Sequence, residues 1–458
     1  MKRKSLTRIL EEIKKACPGI EYSSNPEICT CYSFDATGLR SIPQAVIFPR
    51  NLSDVRQAVK RLTAEGIGVV PRGAGTGFAG GTVPIEESVI LSMERMNRIV
   101  KIDREERIAV VEPGVVNARL QQEAMASNLM FPPDPSSLEV ATIGGNVAQD
   151  AGGPRALKYG VTRNYVLEIE FVTWDGCVCS TSQSAQWQPL LSLLVGSEGT
   201  LAVMTRFKLK LLPLPRFFST MLVFFGSTTS AAQAVSAILE SGVIPSAVEI
   251  MDRSTLNCIT QYVQVELPAG TGCVLIVETD GTTQSDLDYM KLVEDVVRRQ
   301  RPVEIRVATD AIERERLWLM RRSVSPSLAR IAPSKLNEDV CVPRSKLPKL
   351  VEIVEKLSKK YKLMVPTFGH AGDGNLHVNV MFDRRNQDQV RRADALVEEL
   401  FSATIELGGA ISGEHGIGIA KQRFLKKQVG EQGLGYLRKI KQAFDPNSLI
   451  NPGKVIPS

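Results

Sequence analysis

The stretch "PRGAGTGFAGG", residues 71–81, constrains the fold of this chain more than any other, because few kinds of structure can begin that way. Gly75, Gly77 and Gly80 match the dinucleotide fingerprint as text. That fingerprint has to open a helix, with an acid about 20 residues on to hold a ribose. Here the chain continues "TVPIEESVILSM", where Pro84 and then a β-branched run predict a strand, and position 100 is Val. Both features argue against a Rossmann site. The glycines, with Arg72 and Thr76 after the apolar run "IGVV", can still form a backbone nest whose N–H groups bind an anion, a diphosphate above all. A plain tight turn fits the same letters equally well.

The loop does not stand alone. "FPPDPSS" at 131–137, "ATIGGNVAQDAGGPRALKYG" at 141–160 and "GSEGTLAVMT" at 196–205 are further small-residue stretches too polar for core strands. Four such stretches suit one long cofactor, since glycine lets backbone approach closely and Ser, Thr and Asn add hydrogen bonds without bulk.

Composition narrows the class. With 458 residues, 43% hydrophobic and 23% charged, the chain reads as an ordinary globular protein of two or three domains. The net charge of +6 is small, and the basic residues are spread without aromatic interleaving, so nucleic acid is not an expected partner. No run of about 18 apolar residues predicts a membrane span. The N-terminal "MKRKSLTRILEEIKKACPG" spaces its apolar residues on one helical face and lacks the apolar core of a signal peptide, so a cytoplasmic location is expected. The eight cysteines include pairs at 29/31 and 177/179, one residue apart, which fit neither zinc, redox nor iron–sulfur motifs. Buried, reduced thiols are expected.

From Pro43 to about Leu212, short runs such as "AVIFP", "GVVPR", "SVILS", "IAVVEPG" and "EIEFVT" alternate with turns, and helices are predicted at 52–65 and 116–127. Pro213 and Pro215 then suit a domain junction. Beyond it, helices near 229–240, 285–300, 310–329, 345–360 and 388–407 alternate with strands near 219–225, 273–279, 303–308, 338–342, 363–368 and 376–382. That rhythm predicts an antiparallel or mixed sheet covered by helices. The tail predicts a short helix stopped at Asp445-Pro446, then an extended run.

All three histidines lie in two glycine-studded stretches, "GHAGDGNLH" at 369–377 and "SGEHG" at 412–416. On one continuous strand His370 and His377 would face opposite ways, but Gly372-Asp373-Gly374 predicts a turn between two strands that can bring both rings to one point. Two neutral imidazoles and a carboxylate, Glu414, then form a plausible set of divalent-metal ligands. His415 is left as the candidate base, because an imidazole bound to a metal cannot also accept a proton.

Taken together, these motifs resemble, from Pro43 to Lys454, the FAD-dependent 2-hydroxy-acid dehydrogenases of the vanillyl-alcohol-oxidase/PCMH type, especially the GlcD subunit of glycolate oxidase and the D-lactate dehydrogenases. The resemblance implies an α+β protein: an N-terminal helical segment (1–42), a PCMH-type FAD-binding domain (43–215), an α/β cap with an antiparallel sheet, substrate pocket and metal site (216–420), and a C-terminal tail (421–458) returning to the FAD domain. It implies that Arg72, Gly73, Ala74, Gly75, Thr76, Gly77, Gly80 and Gly81 cradle the diphosphate. It places Pro132, Asp134, Ser136, Thr142, Gly144, Gly145, Asn146, Ala148, Gly152, Gly153, Tyr159, Gly160, Glu198, Gly199, Thr200 and Asn451 along the flavin. With Ala74 between the loop glycines and no histidine before residue 370, FAD should be non-covalent.

By the same resemblance His370, His377 and Glu414 bind a divalent cation (Zn, Mn or Fe) and His415 is the base. Asn379 contacts substrate, and Arg321, in the LW-x-x-R pattern, fixes the substrate carboxylate; its neighbour Arg322 leaves that choice open by one position. The implied reaction oxidises D-lactate or glycolate to the 2-oxo acid, with hydride passing to flavin N5 and electrons leaving to a quinone, a cytochrome or an iron–sulfur partner subunit. The resemblance leaves a homodimer and a Glc-type complex at the inner membrane face both open. Relatives acting on D-2-hydroxyglutarate have a lysine at the position of Asn337, with Lys335 here nearer the helix, which moves weight away from a diacid substrate. The alternatives are a non-redox flavoenzyme of the same fold, a flavin-binding electron-transfer subunit and a metallohydrolase.

Overall fold

The computed structural model describes residues 5–85, 87–262, 265–283 and 288–457. They form two compact units: residues 1–152, 161–213 and 414–458 in the first, and 153–160 with 214–413 in the second.

In the first unit, strands Ala45–Phe48, Ser88–Ser92 and Gly68–Arg72 run parallel, with Glu21–Ser23 antiparallel at one edge. Parallel strands with apolar centres of this kind need both faces covered. Helix Leu52–Ala64 covers one face, its first turn capped by the Asn51 side chain accepting from the Asp54 N–H. Helix Leu6–Ala16 joins the same core through Ile9, Leu10 and Ile13. Residues 5–42 thus group with this unit. The glycine loop leaves strand Gly68–Arg72 and runs without a helix into strand Ser88–Ser92, as Pro84 dictates. A second sheet, antiparallel, orders Ile99–Asp103, Ile108–Val111, Val203–Lys210, Val166–Val172 and Val178–Ser180 over a core built around Phe131, Phe171 and Phe207. The C-terminal run returns beside Val69, whose N–H donates to Leu449 O at 2.7 Å and whose carbonyl accepts from the Asn451 N–H at 2.7 Å.

The second unit is one seven-stranded antiparallel sheet. Its spatial order is Glu304–Val307, Phe217–Phe225, Cys273–Gly281, Ala247–Asp252, Thr367–His370, Asn375–Phe382 and Ser334–Cys341. One face carries Leu222, Phe224, Met251, Val274, Ile276, Phe368 and Met381. Against it pack Leu256 and Ile259, Leu317 and Met320, and Val324 and Leu328, from helices Arg253–Thr260, Ala311–Arg322 and Val324–Leu328.

Three elements depart from the sequence reading. Strand Ala247–Asp252 was not expected, because "AVEIMD" sets an acid inside its apolar run. The helix expected over 310–329 is two, Ala311–Arg322 and Val324–Leu328. Proline is tolerated only in a first turn, so Pro326 forces the restart. Residues 153–160 belong with the second unit, where Lys158 Nζ and the Tyr159 hydroxyl both donate to Asp280 Oδ1, at 2.6 and 2.9 Å. Part of the helix expected from 285 lies outside the described residues.

The eight cysteines are all free thiols, but they are not uniformly buried: Cys31 and Cys177 are exposed. Cys177 sits in a surface turn with its Sγ 3.2 Å from Asp175 Oδ2.

Ile276 lies fully buried at the sheet centre, paired with Leu222 on one side and Glu249 on the other. Replacing Ile276 by Ala should cost about 2–5 kcal/mol of stability through lost burial and a residual cavity. A denaturant midpoint unchanged from wild type would contradict this packing.

Candidate active site

Three of the four glycine-rich stretches approach one another inside the first unit: 71–81, the part of 141–160 that precedes Gly153, and 196–205. A Cβ added to Gly73 would fall 2.2 Å from Thr142 Oγ1, and one on Gly81 would fall 3.3 Å from Gln149 Nε2 and 3.9 Å from Glu198 Oε2. Asn451, held at φ +46, ties two of them together: its Nδ2 donates to Gly81 O at 2.9 Å and to Glu198 O at 2.8 Å.

A cofactor cradle needs open space and polar atoms without internal partners, and both occur here. A Cβ on Gly77 would meet nothing within 4 Å. Asn146 Nδ2, Gln149 Oε1, Ser197 Oγ and Asn451 Oδ1 are buried with no hydrogen-bond partner, a costly state that a bound polar molecule relieves. These residues fit FAD.

Several residues assigned to the flavin are placed or engaged differently. Arg72 turns its head under the loop, donating to Phe34 O at 2.8 Å and Thr82 Oγ1 at 3.1 Å. Tyr159, with Gly153 and Gly160, lies in the second unit. Glu198 uses its carboxylate to hold the segment after His415, accepting from Ile417 N–H at 2.7 Å and Gly418 N–H at 2.8 Å. The His415 ring packs on Phe78 of the glycine loop, centroids 4.9 Å apart.

In the second unit, His370 ends strand Thr367–His370, and a single 3₁₀ turn through Ala371–Asp373 leads by Gly374, at φ +76, into strand Asn375–Phe382. The turn folds the chain back so that the two rings stand 5.2 Å apart and nearly perpendicular. Glu414 follows Gly413, whose N–H donates to Asp339 O at 3.1 Å, so the strand carrying Asp339 also fixes where Glu414 begins. One nitrogen from each histidine and one oxygen of Glu414 lie within 4.8 Å of one another. Two buried imidazoles and a carboxylate at that spacing suit a divalent ion with positions left for substrate or water.

Beside them is a residue that the sequence reading missed. Glu249 is fully buried on the unexpected strand and faces the same side of the sheet as Met251, Phe368 and His370. Its Oε1 lies 2.5 Å from His370 Nδ1 and its Oε2 accepts from Arg321 Nε at 2.5 Å. Burial pushes the Glu249 carboxyl up, but His370 and Arg321 together outweigh it and hold the group below its ordinary value. The guanidinium of Arg321 also lies over the Phe368 ring at 4.7 Å, and its Nη2 is buried with no hydrogen-bond partner. Arg322 instead pairs with Glu315 at the surface, so of the two neighbours Arg321 is the one that faces inward.

Asn379 is fully buried, with Nδ2 donating to Pro366 O and His377 O while Oδ1 has no partner. Asn337 stands directly across the ladder from it. Lys335 lies on the same strand, opposite Met381, where burial pulls its amine down.

Residues 214–455 match the family "FAD linked oxidases, C-terminal domain", and residues 43–182 match "FAD binding domain". The glycolate oxidase subunit GlcD of Bacillus subtilis is 38% identical over 93% of this chain and 91% of its own. A D-lactate dehydrogenase of Archaeoglobus fulgidus is 33% identical over 93% and 95%. This chain belongs to the FAD-linked oxidases.

The fold agrees. Solved p-cresol methylhydroxylase with substrate bound superposes with a TM-score of 0.80 over 98% of this chain and 96% of that one, at 20% identity. As an FAD-linked oxidase, the protein has α+β architecture of the PCMH type and binds its flavin through the first unit's domain.

Replacing Asn451 by Ala would remove the hydrogen bonds that tie Gly81 O and Glu198 O together, at about 0.5–1.5 kcal/mol each. The FAD dissociation constant, followed by flavin fluorescence, should rise about tenfold or more, since each 1.4 kcal/mol is a factor of ten. Undiminished flavin retention would remove Asn451 from the cofactor site.

Proposed function

We propose that this oxidase converts a small D-2-hydroxy acid, D-lactate or glycolate, to the 2-oxo acid, with non-covalent FAD and a divalent ion (Zn, Mn or Fe) held by His370, His377 and Glu414. The observation that carries the reading is the buried row in which Glu249 joins His370 to Arg321, beside a carboxylate-and-imidazole cluster of ligand spacing.

When bound, FAD supplies the hydride acceptor and the divalent ion the Lewis acidity that makes the substrate hydroxyl more acidic. Arg321 holds the substrate carboxylate through its Nη edge, its Nε being already engaged by Glu249. Asn379 offers Oδ1 to the substrate. His415 accepts the hydroxyl proton, and Glu198 keeps the following backbone in place while it does so. Arg72, Thr142, Asn146, Gly199 and Asn451 belong to the flavin site by the same reading, Arg72 as a support beneath the loop.

The Bacillus subtilis relative is named as a subunit and the Archaeoglobus fulgidus relative as a D-lactate dehydrogenase, and we place the electron acceptor outside this chain: a quinone, a cytochrome or an iron–sulfur partner subunit. Among the described residues no helix is long and apolar enough to cross a membrane. A cytoplasmic protein reaching the inner membrane face through its partners fits that scheme.

The test is anaerobic bleaching of the flavin by a panel of D- and L-2-hydroxy acids, repeated after chelation. D-lactate or glycolate should bleach it, and chelation should slow the reaction. His415→Ala should keep its flavin and bleach about 10²–10⁴ times more slowly, the usual contribution of a positioned base. A flavin that no hydroxy acid reduces would point instead to a non-redox role, and unchanged bleaching in the variant would take His415 out of the mechanism.

A further inference from the structure

Two fully buried glutamates face helix Ala311–Arg322 from the same side of the sheet, and they are served very differently. Glu278 is saturated. Arg314 donates to it twice, at 2.8 and 2.8 Å, the Trp318 indole donates at 2.8 Å and the Thr220 hydroxyl at 2.7 Å. That network already anchors the helix. Glu249 has one close partner on each oxygen, His370 on Oε1 and Arg321 on Oε2, and the arginine it holds keeps a buried Nη2 without a hydrogen bond. A pair kept only for stability would be completed as Glu278 is, because an unmet buried donor costs free energy.

We propose that Glu249 is a positioning residue that couples the two halves of the site, so that divalent-ion binding at His370 and carboxylate binding at Arg321 strengthen each other. The proposal rests on the metal and substrate roles assigned above.

The physical route is one shared carboxylate. Because Nδ1 of His370 is engaged with Oε1, ligation uses Nε2, which fixes the tautomer with the proton on Nδ1. Ligation withdraws electron density from the ring and makes Nδ1–H a stronger donor. Charge on Glu249 then concentrates at Oε1, and Oε2 neutralises Arg321 less. The Nη edge, steadied by the Phe368 ring and denied its Nε, meets an incoming carboxylate with more of its charge available. Linkage makes the effect reciprocal: a bound carboxylate tightens the ion by the same factor.

The experiment uses chelator-stripped protein loaded with FAD. Mn²⁺ affinity is measured by calorimetry with and without propionate, which has the carboxylate but no hydroxyl to ligate or oxidise. In wild type, propionate should tighten Mn²⁺ by about fivefold or more, the lower end of ordinary coupling between sites. Glu249→Gln turns an N–H toward the Arg321 Nε–H, and Glu249→Asp keeps the charge but is too short to serve both partners. In either variant the coupling should fall below about twofold, and in Glu249→Gln the Mn²⁺ affinity should drop about 10–100-fold, as for other carboxylates that support a ligating histidine.

A direct attraction between ion and carboxylate would survive in both variants, so wild-type coupling retained in either one overturns the proposal. Wild-type coupling below twofold overturns it without any variant. Absence of Mn²⁺ binding to wild type overturns the metal reading as well, whereas binding without coupling overturns only this inference.

Discussion

A carboxylate with no exposed surface must be met by charge or by hydrogen bonds, and in this protein the answer to that demand defines the site. Glu249 stands in the middle strand of a seven-stranded sheet with apolar neighbours along its own face. Left alone it would cost several kcal/mol or pick up a proton. It is instead met by His370 from the adjacent strand and by Arg321 from the covering helix. Once those two are fixed, the turn at Gly374 fixes His377, and the ladder from His377 fixes Asp339 and the place where Glu414 begins. The order runs from one burial penalty to the geometry of a whole cluster.

The first unit solves a different problem, that of holding several irregular glycine-rich segments still. Loops with little side chain have few packing contacts, so their positions depend on hydrogen bonds from a few residues that reach across. Asn451 and Glu198 perform this role. One ties the glycine loop to the turn at Glu198, the other grips the backbone just beyond His415. Lys441 adds a third tie, its ammonium bridging Thr200 O and Ile450 O near buried Asp445. The C-terminal run is thus a structural clamp as well as a chain end, and the polar atoms still unpartnered around it are those expected to face a ligand.

What was legible in the sequence followed from strong local signals. Pro84 argued against a helix after the glycine loop, Val100 against a ribose-binding acid, and Gly372-Asp373-Gly374 marked the turn that aligns the histidines. Glu249 was invisible for the opposite reason: "AVEIMD" gives neither clean alternation nor an unbroken apolar run, and its partners lie 121 and 72 residues away. Its one signal is a lone acid inside an apolar strand-like stretch, which makes sense only if something buried pairs with it. Arg321 and Arg322 show the same limit, because neighbours on a helix point about 100° apart and only packing says which one faces inward. The segment 153–160, expected within the flavin domain, is joined to the first unit by sequence but to the second by the pairing of Lys158 and Tyr159 with Asp280.

The division between anchoring and reactive groups bears on how such a fold changes its chemistry. Folds host many reactions, and function resides in the side chains set on them. Here the helix that carries Arg321 is secured independently, by Arg314 and Trp318 on Glu278, so the Arg321 end does not have to hold it. That separation lets Arg321 keep a buried Nη2 without a hydrogen bond while the helix stays anchored. The same logic applies across the ladder at Asn337 and Asn379, where small polar residues occupy a row next to the histidines while Leu376, Val378 and Val380 on the opposite face fill the core. That row shares its face with Phe368 and Met381, so its polar positions are set among residues that pack the sheet and not apart from them.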